Sequence, residues 1–295
     1  MKTLFTIAIS LISFSLLAQV ESDTTYWKAN GNISLNFSEV SFTNWAAGGE
    51  SSVSGVGLFN LSANYEKDIV LWENSFKFNY GLLKKGNNKL AKSEDIIDIN
   101  SKFDVKTKSD KLFYSAMFNF RSQFANGYNY PDTNTKISGF LAPAYITAGL
   151  GIDYKSSEKL SLSALPASSK ITIVNDDALS TTGAFGVEPG SKSRAEFGAT
   201  VKAQFKAPVV ENVNIDTQIS LFSNYLDTPQ NIDIVWDFAV NMKINDFLSA
   251  NFLSNLIYDD DIKTAADDDG NGNIDSEGPR IQFKQLLGIG LSYNF

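Results

Sequence analysis

Along most of this chain the apolar residues recur at every second position. In "RAEFGATVKAQF", from Arg194, one face reads Ala195, Phe197, Ala199, Val201, Ala203 and Phe205. The other reads Arg194, Glu196, Gly198, Thr200, Lys202 and Gln204. A strand sends successive side chains to opposite faces, so this segment predicts a strand with one apolar and one polar face. In "EDIIDINSKFDVK", Ile97, Ile99, Phe103 and Val105 oppose Asp98, Asn100, Lys102 and Asp104. "KLFYSAMFNFRSQF" and "NIDIVWDFAVNMKI" behave alike, as do segments near 32–42, 53–65, 70–83, 140–155, 159–165, 211–225, 247–258 and 280–295. No three-four periodicity is sustained. The pattern predicts an all-β chain of about twelve strands.

The connections alternate in length. Short polar turns such as "YEKD", "TKSDK", "KSSEK", "KAPVVEN" and "KIND" alternate with longer stretches near 43–52, 83–93, 125–138, 166–190, 226–230 and 259–279. Strands of about 10 to 15 residues exceed the usual five or six of soluble sheets. The apolar faces are rich in Phe, Tyr and Trp, and Trp72, Tyr80, Tyr154 and Trp236 fall near predicted strand ends. Such rings favour the membrane–water interface. Together these features predict a transmembrane up-and-down antiparallel β-barrel with short periplasmic turns and longer extracellular loops. The 166–190 stretch, with no partner strand in the pattern, is expected either to plug the lumen or to cap it.

Both ends of the chain agree with export to an outer membrane. "MKTLFTIAISLISFSLLAQ" has one Lys, an apolar run and a small-residue site at Ala18, the layout of a cleaved signal peptide over residues 1–18. Residues 19–295 then form a single barrel domain. "LLGIGLSYNF" carries Leu287, Ile289, Leu291, Tyr293 and Phe295 on one face. A last strand ending on an aromatic resembles the signal read by the barrel-insertion machinery, which makes that machinery, with outer-membrane lipid and lipopolysaccharide, an expected partner. An envelope protein partner is a further expectation.

Composition narrows the chemistry. The formal net charge is −8, and there is no Cys and no His. Disulfides are excluded, and so is the imidazole that serves most often as general base. Nucleic acid is not an expected partner, because phosphate contacts need clustered Lys and Arg. On the strand register Asp98, Asp104, Asp216, Asp233 and Asp237 face inward, and so do Lys102, Arg121, Arg194, Lys202, Lys243 and Lys284. Buried opposite charges pair, since an isolated ion in a low dielectric is costly. Lumen pairing is therefore expected ahead of carboxylate catalysis.

The long 259–279 stretch contains "DDDGNGNID". Asp267, Asp269, Asn271, the Asn273 carbonyl and Asp275 occupy positions one, three, five, seven and nine of an EF-type calcium loop, with Gly272 at six. Position twelve is Gly278, and Glu277 comes one residue early. No helical pattern flanks the loop. The expected ligand is calcium, bound weakly as a clip on an acidic extracellular loop; the alternative is an acidic turn made by Gly and Asn alone.

Several stretches resemble one family. They are "LNFSEVSFTNWAAGGESSVSG" (Leu35 to Gly55), "FKFNYGLLK" (Phe76 to Lys84), "SGFLAPAYITAGLGIDYK" (Ser138 to Lys155), "ITIVNDDALSTTGAFGV" (Ile171 to Val187) and "GPRIQFKQLLGIGLSYNF" (Gly278 to Phe295). They are similar to the Bacteroidota outer-membrane family known as domain-of-unknown-function family 3078. The resemblance implies an outer-membrane barrel in a Gram-negative bacterium of that phylum. It carries no activity and so no catalytic residues. The functional expectation is a non-enzymatic structural or accessory envelope component. A narrow channel or transporter for small solutes is the alternative, and a carboxylate-dependent enzyme stands third.

Overall fold

A computed structural model describes residues 25–41, 51–266 and 276–295. The expected signal peptide, residues 1–18, the "NWAAGGE" stretch and the calcium candidates Asp267, Asp269, Asn271, Asn273 and Asp275 lie outside the described residues.

The first strands are β1 (Trp27–Val40), β2 (Ser52–Lys67), β3 (Val70–Lys85), β4 (Ala91–Lys106) and β5 (Leu112–Ser122). A small loop hairpin follows, β6 (Gly127–Tyr128) with β7 (Lys136–Ser138). Next come β8 (Ala144–Ser157), β9 (Leu160–Ile173), the one-turn helix α1 (Asp177–Thr181) and β10 (Ser193–Val210). The chain continues through β11 (Val213–Asn224), β12 (Ile232–Lys243) and β13 (Leu248–Tyr258). A second loop hairpin, β14 (Lys263–Ala266) with β15 (Ser276–Pro279), precedes β16 (Gln282–Asn294). Twelve of these strands form a closed ring in the order β1, β16, β13, β12, β11, β10, β9, β8, β5, β4, β3, β2. Every neighbour in it is antiparallel. The expected twelve-strand barrel is therefore what forms.

The two ends of the barrel differ. At one end strands are joined by turns as short as 68–69, 158–159 and 211–212. Asp68 and Asn212 take left-handed φ values of 52° and 63° there, which short Asp and Asn side chains tolerate because they bond locally. The other end carries the long loops. The two are called the turn end and the loop end below.

The period-two pattern sorts the side chains as predicted. Leu150, Tyr114 and Phe118 point outward, 62%, 65% and 42% exposed. Aromatic rings line the turn end along β1 to β4: the Trp27 ring lies 5.3 Å from that of Tyr65 and 5.6 Å from that of Trp72, and the Trp72 ring lies 6.5 Å from that of Phe103. Polar groups on this outer face satisfy one another. Trp72 Nε1 donates to Ser101 Oγ (2.8 Å), which donates to Asn74 Oδ1 (2.8 Å). Trp236, expected near a strand end, sits well inside β12, and its Nε1 donates to Thr217 Oγ1 (2.8 Å). A hollow of about 670 Å³ indents the outer wall between Trp72, Phe103, Phe118, Leu150 and Phe197. It faces away from the lumen.

The largest departure from the sequence pattern is at Pro166. The pattern ends a strand at 165, yet β9 runs on to Ile173. The register shifts against both neighbours at this point, between Leu150 and Ile152 on β8 and between Gly198 and Thr200 on β10. Pro166 thus occupies a β-bulge, where its missing N–H breaks no ladder bond, and the strand resumes beyond it.

The remaining residues, 174–192, cap the loop end. Val174, Leu179 and Val187 bury themselves with Ala142, and Ala184 and Phe185 pack alongside. The helix inside this cap is started by Asp176, whose carboxylate accepts from Leu179 N (3.0 Å). The Lys136 ammonium touches the same carboxylate. Contact with Lys136, together with the Leu179 N–H bond, holds the Asp176 carboxyl below the usual carboxylate range. A lowered native value stabilises the fold above the unfolded value of about 3.9 and is lost as pH falls through the native one. The cap should resist protease between neutral pH and about pH 4, then loosen in stronger acid. Asp176→Ala should remove about 1 kcal/mol of local stability and make nicking within 174–192 fast even at neutral pH. Limited proteolysis across a pH series measures both.

Candidate functional site: the charged lumen

The inward faces of the strands hold the chain's ionisable chemistry. Asp98, Asp104, Asp216, Asp233 and Asp237 fall on them, as do Lys102, Arg121, Arg194, Lys202, Lys243 and Lys284, all on the side opposite the outward apolar residues in the observed register. The structure sorts most of them into three clusters.

The middle cluster spans the lumen. Arg121 on β5 donates through Nε to Asp98 Oδ2 on β4 (2.7 Å) and through Nη2 to Asp237 Oδ2 on β12 (2.8 Å). Both acceptors are held by amides. Asn100 and Asn119 donate to Asp98 Oδ1 at 2.6 and 3.0 Å, and Asn255 donates to Asp237 Oδ1 at 2.5 Å. β5 and β12 stand almost opposite each other in the ring. Twelve strands about 4.8 Å apart and tilted ~40° would close a round barrel roughly 24 Å across. An Arg and an Asp joined end to end span only about 14 Å between their Cα atoms. The contact therefore requires an oval barrel, with the β5 and β12 walls drawn together. The bridge narrows the lumen at mid-height and divides its cross-section.

Near the loop end Lys170 on β9 is the hub. Its Nζ lies 2.5 Å from Asp233 on β12, 2.6 Å from Asp259 and 3.7 Å from Glu196 on β10. Arg194 beside it pairs with Glu196 at 2.8 Å and Asp261 at 2.9 Å, and donates to the Gly186 carbonyl in the cap (3.0 Å). The cap is thus tied to the exit of β13 across the mouth. Residues 166–190 are part strand and part cap. Toward the turn end, Lys102 pairs with Asp153 (2.7 Å) and Asp104 (3.5 Å). Lys155 pairs with Glu73 (3.0 Å) and Asp104 (3.2 Å). A further chord joins Lys284 on β16 to Glu94 on β4 at 2.9 Å.

Sequence reading missed several of these partners. Lys170 lies beyond Pro166, where the pattern seemed to end. Asp153, Lys155, Glu73 and Glu94 carry the inward parity of their strands, and that parity alone could have found them. Asp259 lies just past β13, in the loop, where alternation gives no signal. Lys243 bonds Asp246 in the adjoining turn (2.6 Å), and Asp216 lies 3.8 Å from Lys206, both pairs nearer the turn end than the clusters above. Among the described residues no group of His, Cys, Asp or Glu has metal-holding geometry.

Such a lumen offers paired charges, amide donors and hydroxyls, among them Ser161 and Ser163, which both donate to Asp153 Oδ1 at 2.8 and 2.5 Å. It can order water and small polar solutes. Among solved structures the chain is similar to an outer membrane channel from Pseudomonas putida F1, with 11% identity over 94% of this chain and 98% of that one and a TM-score of 0.40. It is similar to the translocator domain of the autotransporter NalP from Neisseria meningitidis, with 10% identity over 98% and 97% and a TM-score of 0.37. It is also similar to OmpT, an outer membrane protein of Vibrio cholerae, with 9% identity over 94% and 99% and a TM-score of 0.32. At these values the likeness is one of barrel form alone. No curated protein matches the chain in sequence. A family model described as protein of unknown function (DUF3078) matches residues 37–128, from the last residues of β1 through β5 and on to β6 in the loop that follows.

Proposed function

We propose that the chain is an outer-membrane barrel, by its family resemblance one of the Bacteroidota, whose narrow polar lumen passes small hydrophilic solutes. Lipid would face the outward apolar belt. The observation that carries this reading is the water space left inside the wall. Lys77 faces inward from the middle of β3 and is nonetheless exposed. Glu73 and Lys284, also inward, keep 44% and 45% of their side-chain surface accessible. Glu73 and Lys284 stand near the two mouths, but a core packed solid would leave Lys77 no room. Twelve strands stand between filled eight-strand barrels and open porins of sixteen or more, and the Arg121 bridge reduces the aperture further. In planar bilayers the purified barrel should give small, discrete conductance steps. A folded, inserted barrel that stays silent would overturn the passage reading.

The cross-lumen ion pairs favour a second reading. Charges laced between opposite walls stiffen a barrel, as suits a non-enzymatic accessory component of the envelope. That reading predicts a silent barrel which co-purifies with a partner from gently solubilised membranes.

A further inference from the structure

The outward belt is built largely from bulky apolar side chains, and the hollow between Trp72 and Phe197 interrupts it. Two adjacent rows of the ladder frame the hollow. The row nearer the turn end reads Trp72, Phe103, Ala116, Leu150 and Ala167 across β3, β4, β5, β8 and β9. The row nearer the loop end reads Ser101, Phe118, Ala148, Ser169 and Phe197 across β4, β5, β8, β9 and β10. On β4, β5 and β8 a large side chain in one row stands beside a small one in the other, and the large member changes row from strand to strand. Phe103, Phe118 and Leu150 are thus staggered walls around a floor of Ser101, Ala116 and Ala148. The result is a winding trough of about 670 Å³.

From β3 to β10 the trough crosses the spacings between six neighbouring strands, a run of about 24 Å at ~4.8 Å each. With strands tilted ~40° from the membrane normal, that run rises about 15 Å, half the ~30 Å thickness of the hydrocarbon. The two ends differ in polarity. At the Trp72 end, among the turn-end rings, the indole donates to Ser101 Oγ, which donates to Asn74 Oδ1. At the other end stands Phe197, backed by the Tyr225 ring at 6.0 Å. Between them the side chains are apolar but for the Ser169 hydroxyl. Polar at the interface and apolar inward is the order of groups along one lipid chain in its own leaflet. The trough is also continuous with the belt that would face lipid, so hydrocarbon is what meets it. A helix, about 10–12 Å across, is too thick to follow staggered walls. A second copy brings no ridge to fill it, because a two-fold dimer about this face sets trough against trough.

We propose that this trough seats one acyl chain of a membrane phospholipid, with its ester end beside Trp72 and its tail toward Phe197. Its volume and its make-up, apolar walls with a few placed polar groups, are those of a small-ligand pocket. The site rests on the reading above that the outward belt faces lipid. It does not depend on whether the lumen conducts.

Two tryptophans separate the site from the belt. Trp72 borders the trough and Trp236 faces outward from β12 across the ring, and each is 39% exposed. Intact barrels that keep only one of them, the other tryptophans being replaced by Phe, are folded into phosphatidylcholine vesicles with brominated acyl chains, which quench indole on contact. Both should be quenched. Ala116→Phe plus Ala148→Phe, which fills the floor, should relieve most of the Trp72 quenching and leave that of Trp236 unchanged. Ala148→Leu plus Ala167→Leu is the second variant, used if the gel shift between folded and heated forms shows the first unfolded. The wild-type barrel taken gently into detergent should carry one phospholipid by native mass spectrometry, and the filled variant none. Trp72 quenching that survives filling while Trp236 is quenched overturns the site alone. Quenching of neither tryptophan overturns the lipid-facing belt together with the site. A dimer that is lost on filling assigns the trough to a second copy and overturns the lipid site.

Discussion

Arg121→Ala should enlarge the single-channel conductance severalfold while lowering the stability of the barrel. The two effects share one cause. The guanidinium is the only group that joins the β5 wall to the β12 wall at mid-lumen among the described residues, so truncating it removes the obstruction and the tie together. What remains is a pair of carboxylates, Asp98 with 4% and Asp237 with 26% of the side chain exposed. Removing one member of a buried ion pair costs about 3–5 kcal/mol because the survivor is left uncompensated. The wetter position of Asp237 places the expected loss near ~3 kcal/mol. The triple variant Arg121→Met, Asp98→Asn, Asp237→Asn separates the effects. It removes every stranded charge, so stability should recover while the passage stays wide. Conductance in bilayers and the urea midpoint of unfolding read the two axes. Unchanged conductance in Arg121→Ala would mean that the bridge does not lie in the conducting path.

The second large effect concerns the outer wall. Leu150 points outward from the middle of β8 and is 62% exposed. In water, Leu150→Arg at so exposed a site would change stability by no more than about 0.5 kcal/mol. If the belt lies in hydrocarbon, the same change costs ~2–4 kcal/mol near the bilayer midplane. Leu226 is the matched control. It is 77% exposed in the loop between β11 and β12, beyond the belt, and Leu226→Arg should be nearly neutral. Reversible folding into lipid vesicles, followed by the gel shift between folded and heated forms, measures both. Equal costs at the two sites would place Leu150 out of the membrane.

How far these features are legible in the sequence depends on the distance over which they are decided. Alternation is local, so it placed Asp98, Arg121, Asp233 and Asp237 on the inner face and Phe118, Trp236 and Phe238 on the outer one. It failed at Pro166, because a bulge keeps a strand going by spending one unpaired residue, and nothing in the local pattern marks that residue as recoverable. It missed α1, whose single turn depends on Asp176 and on a small apolar core shared with Ala142 in another loop. The partners across the lumen were beyond it altogether. That Arg121 meets Asp237, and not another inward carboxylate, follows from strand stagger and from the flattening of the ring. Those are properties of the closed barrel and of no single segment.

The seam between β1 and β16 differs from the other ladders. On its β2 side, β1 pairs from Trp27–Tyr65 to Val40–Ser52, whereas on its β16 side it pairs from Asn32–Asn294 to Phe37–Ile289. Mutual backbone bonds between Gly31 and Phe295 extend it by one step, and the Phe295 ring lies over Gly31 where any larger residue would collide with it. The bond from Asn32 Nδ2 to Asn294 Oδ1 spans 262 residues. Closing a chain loop of that length first would cost about 4 kcal/mol more in entropy than closing a hairpin. The seam therefore forms last, after successive hairpins have curled the sheet far enough to bring its edges together. Being short and last to form, it is also where the native barrel should open first, so its amide protons should exchange with solvent before those of any other ladder.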